Sequence, residues 1–250
     1  MSTSDAKTTT SHWNAVWSKE PRWRLPSRLN VGVWDMQRLL RRHVRPGMRV
    51  LEIGCAPGKL LAWVAKVLHA TVSGIDYSEI GMAHARKLFK ALDISGDLRQ
   101  ENVFESTIPQ STFDVVYSLG VIEHFDDPRD IVRRHISFAA PGGIILIVVP
   151  NYGGIYGRLQ RYFDPENLSI HNLGIMSAQR LQDLIPPATC RAVRSYRYGR
   201  LSPWLINFHH RWNRSISLLT ALTLNAIGLV QPVPIPTLSP FIVLEATRLA

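Results

Sequence analysis

The chain has 250 residues, 46% of them hydrophobic and 19% charged, with a mean hydropathy of -0.01. That length carries one large domain with a full core, and the composition excludes both a disordered chain and a multi-span membrane protein. The net charge is +10, distributed as ten basic against three acidic residues in 1–50, nine against twelve in 51–150 and ten against four in 151–250. Basic flanks of this kind attract anionic partners, whether nucleic acid, acidic lipid headgroups or a phosphorylated substrate.

Residues 1–11 are polar, rich in Ser and Thr, and lack the apolar centre of a secretory leader, so a loose tail is expected. Trp13, Trp17 and Trp23 predict packing soon after it, and residues 1–48 read as a tail followed by lid helices. The two cysteines, Cys55 and Cys190, build neither a disulfide framework nor a cysteine zinc site, and a cytoplasmic protein is expected. From residue 49 to 150 the apolar or β-branched runs 50–53, 71–76, 98–103, 113–118 and 144–149 read as strands covered on both faces. Helical spacing fills 59–69, 78–92 and 128–139 between them, which predicts a doubly wound parallel sheet.

Beyond residue 150 the rhythm changes. Residues 151–157 are glycine- and tyrosine-rich, 162–174 are polar and irregular, and 177–184 predict a short helix closed by Pro186 and Pro187. Strands are expected at 191–198 and 241–248. Residues 49–250 thus form one domain, with insertions at about 151–190 and 201–239. Within the second insertion, Leu201, Trp204, Leu205, Phe208 and Trp212 would make an aromatic stripe if helical, and 215–230 reads as a buried or interfacial helix.

The run Val50-Leu51-Glu52-Ile53-Gly54-Cys55-Ala56-Pro57-Gly58 reads as a strand, a turn of small residues and a helix start. Such a turn lets a ligand approach backbone, with helix-start amides facing it. A second strand ends some twenty residues later in Gly74-Ile75-Asp76, an acidic tip suited to a ribose diol. The loop does not fit the G-x-G-x-x-G of a nicotinamide site.

Taken in order, VLEIGCAPG, GIDYS, ENVFE, FDVVYSLGVIEHFDDP and APGGIILIVVPN resemble the landmarks of class I S-adenosylmethionine-dependent methyltransferases. The resemblance implies a Rossmann-like seven-stranded sheet, mostly parallel with the last strand antiparallel, helices on both faces, and S-adenosyl-L-methionine as cofactor. It also implies that Glu52, Gly54, Cys55, Ala56 and Gly58 line the methionine and ribose part. Asp76 would bind the ribose hydroxyls, Tyr77 would flank the adenine, and Asn102 and the Val103 amide would meet its edge. Ser118 and Leu119 would lie where the methyl group points, and the helix after Phe125 would cover the site.

Two positions depart from the pattern. Asn102 stands where the family commonly has Asp, and its amide oxygen still accepts from an adenine amino group at a modest affinity cost. Gly120-Val121-Ile122-Glu123-His124 is similar to the Glu-x-x-Glu-His of ubiquinone-pathway O-methyltransferases but lacks the first carboxylate, so no metal site is expected. His124 is then a candidate general base, against the alternative that Glu123 and His124 only shape the site.

Acceptor choice in this fold is set by the leading helix and by the insertions, which here are the basic parts. The reading is a small-molecule methyltransferase acting, at oxygen, on a metabolite, glycan precursor or lipid-linked acceptor, with peripheral contact to anionic membrane at its inner face. An RNA methyltransferase and a non-catalytic S-adenosylmethionine-binding protein are the alternatives. Tyr117-Ser118-Leu119-Gly120 differs from the Asp/Asn-Pro-Pro-Tyr of amino-directed nucleic-acid enzymes, and no RNA-binding module is added.

Overall fold

The computed structural model describes residues 6–249. In chain order its elements are α1 (Thr10–Val16), α2 (Val31–His43), β1 (Arg49–Ile53), α3 (Lys59–Leu68), β2 (Thr71–Asp76), α4 (Glu79–Ala91), β3 (Asp97–Gln100) and β4 (Phe113–Leu119). There follow α5 (Arg129–Phe138), β5 (Ala139–Pro150), α6 (Ile155–Phe163), α7 (Pro165–Ser169), α8 (Ala178–Gln182), β6 (Cys190–Tyr198), α9 (Arg214–Val230) and β7 (Phe241–Arg248). The strands form one sheet in the order β3-β2-β1-β4-β5-β7-β6. Pairing is parallel from β3 to β5, and β7 runs antiparallel to both β5 and β6.

The parallel strands lie between two apolar layers. Leu51, Ile53, Val116, Ile145 and Ile147 face one layer with α5, and Val50, Val72, Val115 and Leu146 face the other with α3 and α4. Near-continuous apolar runs are what a sheet buried on both faces requires. Helix starts follow local chemistry: Ser78 Oγ accepts from the Gly81 amide at α4, and Asn30 and Asn213 cap α2 and α9 in the same way.

Four segments differ from the sequence-based expectation. β3 stops at Gln100, because Asn102 Oδ1 turns back to accept from the Phe104 amide at 3.1 Å and Glu101 accepts from Ser106 and Thr107. The chain over 155–169 is helical, Tyr156, Gln160 and Phe163 forming the buried side of α6 that the glycines ahead of it conceal. Residues 201–212 form no α-helix: Pro203 opens a single 3-10 turn, a second follows at Phe208–His210, and Trp204 and Trp212 remain half-exposed. Finally, 6–11 is no loose tail over its described part; Ala6 bridges Phe125, and the Lys7 amide donates to the His124 carbonyl at 2.7 Å. Residues 1–5 of that expected tail lie outside the described residues.

A buried ion pair fixes α2 to the far side of the sheet. Asp35 accepts from the Arg200 amide at 2.7 Å and from its guanidinium at 3.0 Å, and both residues are buried. Removing one partner strands a charge in the interior. Asp35→Ala is expected to cost about 3–5 kcal/mol in urea unfolding, and a loss under 1 kcal/mol would show that water reaches Arg200 freely.

Candidate active site

A cavity of about 550 Å³ opens beyond the C-terminal ends of β1, β2 and β4. This is the switch point of the sheet, where β1 has neighbours whose connecting helices lie on opposite faces. Of the residues singled out from sequence, Gly54, Ala56, Asp76, Tyr77, Asn102, Val103 and His124 line it. Gly54 has φ +73°, and a Cβ there would stand 2.4 Å from Val121 Cγ2, so the backbone itself forms this wall. Asp76 is oriented by two amides, Ser78 N–H at 2.8 Å and Ala56 N–H at 3.1 Å. Burial raises its pKa against those hydrogen bonds.

Glu52, Cys55, Gly58 and Ser118 do not line the cavity, and each has an internal partner instead. Strand alternation turns Glu52 to the other face of β1, where it accepts from Tyr117 Oη at 2.9 Å. Burial, partly offset by the Tyr117 hydrogen bond and raised further by Asp76 nearby, lifts its pKa to about 8. Cys55 Sγ lies in the core 3.6 Å from Met82 Sδ. The Gly58 amide donates to the Cys55 carbonyl at 2.6 Å, which closes the turn. Ser118 is fully buried and bonds His135 Nε2 at 2.8 Å, leaving Leu119 and Gly120 at the cavity wall. His135 Nδ1 donates to the Ile131 carbonyl, and burial lowers this imidazole to about 4.

The N-terminal segment completes the site. Thr8, Trp13 and Trp17 line the same cavity, and Asn14 Oδ1 accepts from Ser78 Oγ at 2.8 Å and from the Ile80 amide. A Lys7–Asp126 ion pair at 2.7 Å holds its start. The tryptophan spacing pointed to a lid; Thr8 and the strap at Lys7 carry no sequence signal of their own.

His124 stands where this cavity meets a second one of about 480 Å³, with Leu119 and Gly120 common to both. The second is lined mainly by apolar side chains, among them Met36, Leu60, Tyr152, Leu205 and Phe241, with Lys59 the cation in its wall. His124 Nδ1 lies 3.0 Å from the Ile170 carbonyl; a carbonyl only accepts, so the proton sits on Nδ1 and Nε2 keeps its lone pair. Burial, with His171 adding to it, lowers His124 to about 4.

His171, from the insertion that sequence reading left irregular, packs at 4.7 Å between ring centroids from His124, its Nδ1 2.7 Å from the Asn167 carbonyl. Glu123 is buried beside them with Oε2 unpartnered, and burial raises it to about 8. One ligand atom from each of Glu123, His124 and His171 lies within 4.8 Å of the others, an arrangement that can hold a metal ion. No metal site was expected because Gly120 stands where the first carboxylate of Glu-x-x-Glu-His would be; the third group, His171, comes instead from the insertion after β5.

Sheet order, switch-point cavity and acidic β2 tip together define the class I fold of S-adenosylmethionine-dependent methyltransferases. Residues 35–188 match the family described as Methyltransferase domain, and the chain belongs to that family. It is 36% identical over 109 residues to a probable S-adenosylmethionine-dependent methyltransferase of Mycolicibacterium smegmatis, covering 44% of this chain and 40% of the relative. It is also 36% identical over 105 residues to the ubiquinone biosynthesis O-methyltransferase of Rhizobium leguminosarum, covering 42% and 41%. The match thus spans about two fifths of these relatives. Among solved structures, the phosphoethanolamine N-methyltransferase 2 of Haemonchus contortus superposes with TM-score 0.62 at 18% identity, covering 88% of this chain and 54% of that one. A SAM-dependent methyltransferase of Aquifex aeolicus gives 0.61 at 15%, covering 94% and 98%.

The carboxyl of Glu52 sets a pH signature. Its pKa is 4.5 when solvated and about 8 when folded, so its stabilising contribution is complete below 4.5 and is lost as pH rises through 8. His124 and His135, lowered from 6.5 to about 4, act oppositely, adding stability as pH rises from 4 to 6.5 and nothing more above it. Between pH 6.5 and 8 the carboxyls, Glu123 included, act without that opposition. The ligand-free Tm is expected to fall across this interval, and to fall less in Glu52→Gln; an equal fall in both would show that Glu52 is ionised when folded.

Proposed function

We propose that this chain transfers a methyl group from S-adenosyl-L-methionine to an oxygen of a small amphipathic acceptor, a metabolite, glycan precursor or lipid-linked molecule, in the cytoplasm. The observation that carries this reading is the meeting of two cavities at Leu119, Gly120 and His124. The donor occupies the first: Asp76 accepts from both ribose hydroxyls, Tyr77 and Asn102 flank the adenine, and the Gly54–Ala56 turn lies along the methionine part. The acceptor's apolar body lies in the second, which brings its nucleophile to the shared wall. Holding the two reactants in line supplies most of the acceleration in such a transfer.

His124 is the acceptor-side residue. Its neutral ring presents Nε2 with a lone pair, Trp13 packs edge-on against it at 5.1 Å, and the Ile170 carbonyl fixes its orientation. A hydroxyl proton passes to Nε2 as oxygen attacks the sulfonium methyl carbon and the carbon–sulfur bond breaks, leaving S-adenosylhomocysteine. The relatives support the class of reaction. Two of them are named ubiquinone biosynthesis O-methyltransferase and phosphoethanolamine N-methyltransferase, and a geranyl diphosphate C-methyltransferase shares the fold, so the relatives span three acceptor atoms. Oxygen is favoured because a hydroxyl needs the base that His124 provides. The aromatic, apolar second cavity does not favour RNA, whose backbone calls for a cationic track.

Asp76→Ala is expected to weaken S-adenosylhomocysteine about 10-fold or more by calorimetry; unchanged affinity would remove Asp76 from the donor site. His124→Ala is expected to lower methyl transfer into labelled cell-extract metabolites while donor affinity stays within about threefold. Equal loss of both would make His124 structural, and loss of transfer on chelation, restored by a divalent ion, would assign Glu123, His124 and His171 to a metal. Label appearing in RNA would reverse the choice of acceptor, and no transfer with donor bound would leave a binding protein.

A further inference from the structure

Helix α9 is inverted relative to an ordinary surface helix. The fully buried residues on the face it turns to the protein are Ser217, Ala221, Asn225 and Gly228, with Leu224 packed beside them, while Ile216, Leu218, Leu219, Leu222, Ile227 and Val230 point outward. The buried face is that composition for a reason. A Cβ at Gly228 would stand 2.0 Å from the Leu201 carbonyl, and Asn225 bonds the Leu29 carbonyl, the Val31 amide and the Trp204 indole. Small and polar residues are therefore needed at these close contacts, and most of the large apolar ones lie outside, with Leu219 68% and Val230 80% exposed. Water is a poor solvent for such a face, which soluble monomers rarely display.

The surroundings indicate what does solvate it. No charged residue occurs between Arg214 and Glu245, and the proline-rich turn after α9 adds exposed Val233 and Ile235. At the N-terminal end stand Arg211 and Arg214, both exposed and neither paired with a carboxylate among the described residues, together with the half-exposed Trp212. An apolar surface edged by indole and guanidinium matches the boundary between acyl chains and anionic headgroups. The helix has 17 residues, and no helix among the described residues is long and apolar enough to cross a membrane. A helix of this kind lies in the interface plane.

We infer that the outward face of α9, with the turn that follows it, seats this protein on an anionic lipid bilayer. Trp204 joins this surface to the site: its indole donates to Asn225 on α9, and its ring lines the second cavity. Seating α9 on the bilayer places that wall of the cavity beside the lipid phase, where an amphipathic acceptor is concentrated. The docking surface stands on α9 and the residues that flank it, independently of the site; the acceptor's route past Trp204 rests on the function proposed above. From the 201–212 stretch only its end, Arg211 and Trp212, edges this surface, because Leu205 and Phe208 turn inward.

Vesicle flotation tests this. The full chain is expected to float with vesicles of mixed phosphatidylglycerol and phosphatidylcholine, more weakly as salt rises, and much less with phosphatidylcholine alone. Leu219→Asp with Leu222→Asp is expected to weaken binding about 10-fold or more, and Arg211→Gln with Arg214→Gln about 10-fold with loss of the salt dependence. S-adenosylhomocysteine affinity, measured on each variant, is expected to stay unchanged and certifies the fold. Wild-type protein that binds S-adenosylhomocysteine yet floats with neither vesicle overturns the docking and leaves the methyltransferase reading standing. So does a dimer that the two aspartates disperse without vesicle binding, which would give the face to a second copy. Flotation without S-adenosylhomocysteine binding strikes the proposed function instead.

Discussion

Strand β1 is held between β2 and β4, and most of the site follows from that placement. With parallel partners on both sides and apolar layers above and below, β1 cannot slip by one residue without turning Leu51 and Ile53 out of one layer and the Glu52 carboxyl into it. The chain leaves it at Gly54, whose backbone conformation and lack of a side chain open the wall of the cavity. Asp76 then ends the neighbouring strand at the same level, and its carboxylate is aimed by amides of both turns. One pairing thus brings the two halves of the proposed donor site together.

Burial controls the chemistry as much as position does. The site holds imidazoles below their solution range and carboxyls above theirs, all for the same reason: a charge here has little water. His124 is neutral at physiological pH, and its backbone partner decides which nitrogen is free. The residues that close the site come from distant parts of the chain: the N-terminal strap through Thr8 and Trp13, and His171 from the insertion after β5. The turns after the sheet strands and the N-terminal strap share the first cavity, while α2 and the insertions supply much of the wall of the second.

The additions also explain α9. Close packing against the Leu201 carbonyl and the start of α2 calls for small or hydrogen-bonding side chains at those contacts, and it leaves six large apolar residues on the outside while Leu224 packs inward. Soluble packing alone gives no reason to keep six such residues there. The proposed seat on an anionic bilayer supplies one, and it also accounts for the basic residues that edge the surface.

From the sequence alone the strands of the parallel half, the glycine turn and the acidic tip at Asp76 were legible, because apolar runs and turn residues are local signals with a fixed physical meaning. The same signals could not say which way a side chain points once a strand ends. Glu52 and Ser118 sit on β1 and β4 as anticipated, yet the pleat turns Glu52 to Tyr117 and Ser118 to His135, and only the tertiary structure shows those partners. The helix at 155–163 was hidden by the glycines before it, and the aromatic spacing over 201–212 suggested a helix that Pro203 and contacts to α6 and α9 do not allow. His171 reaches Glu123 and His124, and α9 presents its apolar face outward, through contacts far apart in sequence. Local pattern therefore determined the parallel strands and the turns that follow them, while long-range packing decided which groups share a cavity and which apolar face is left exposed.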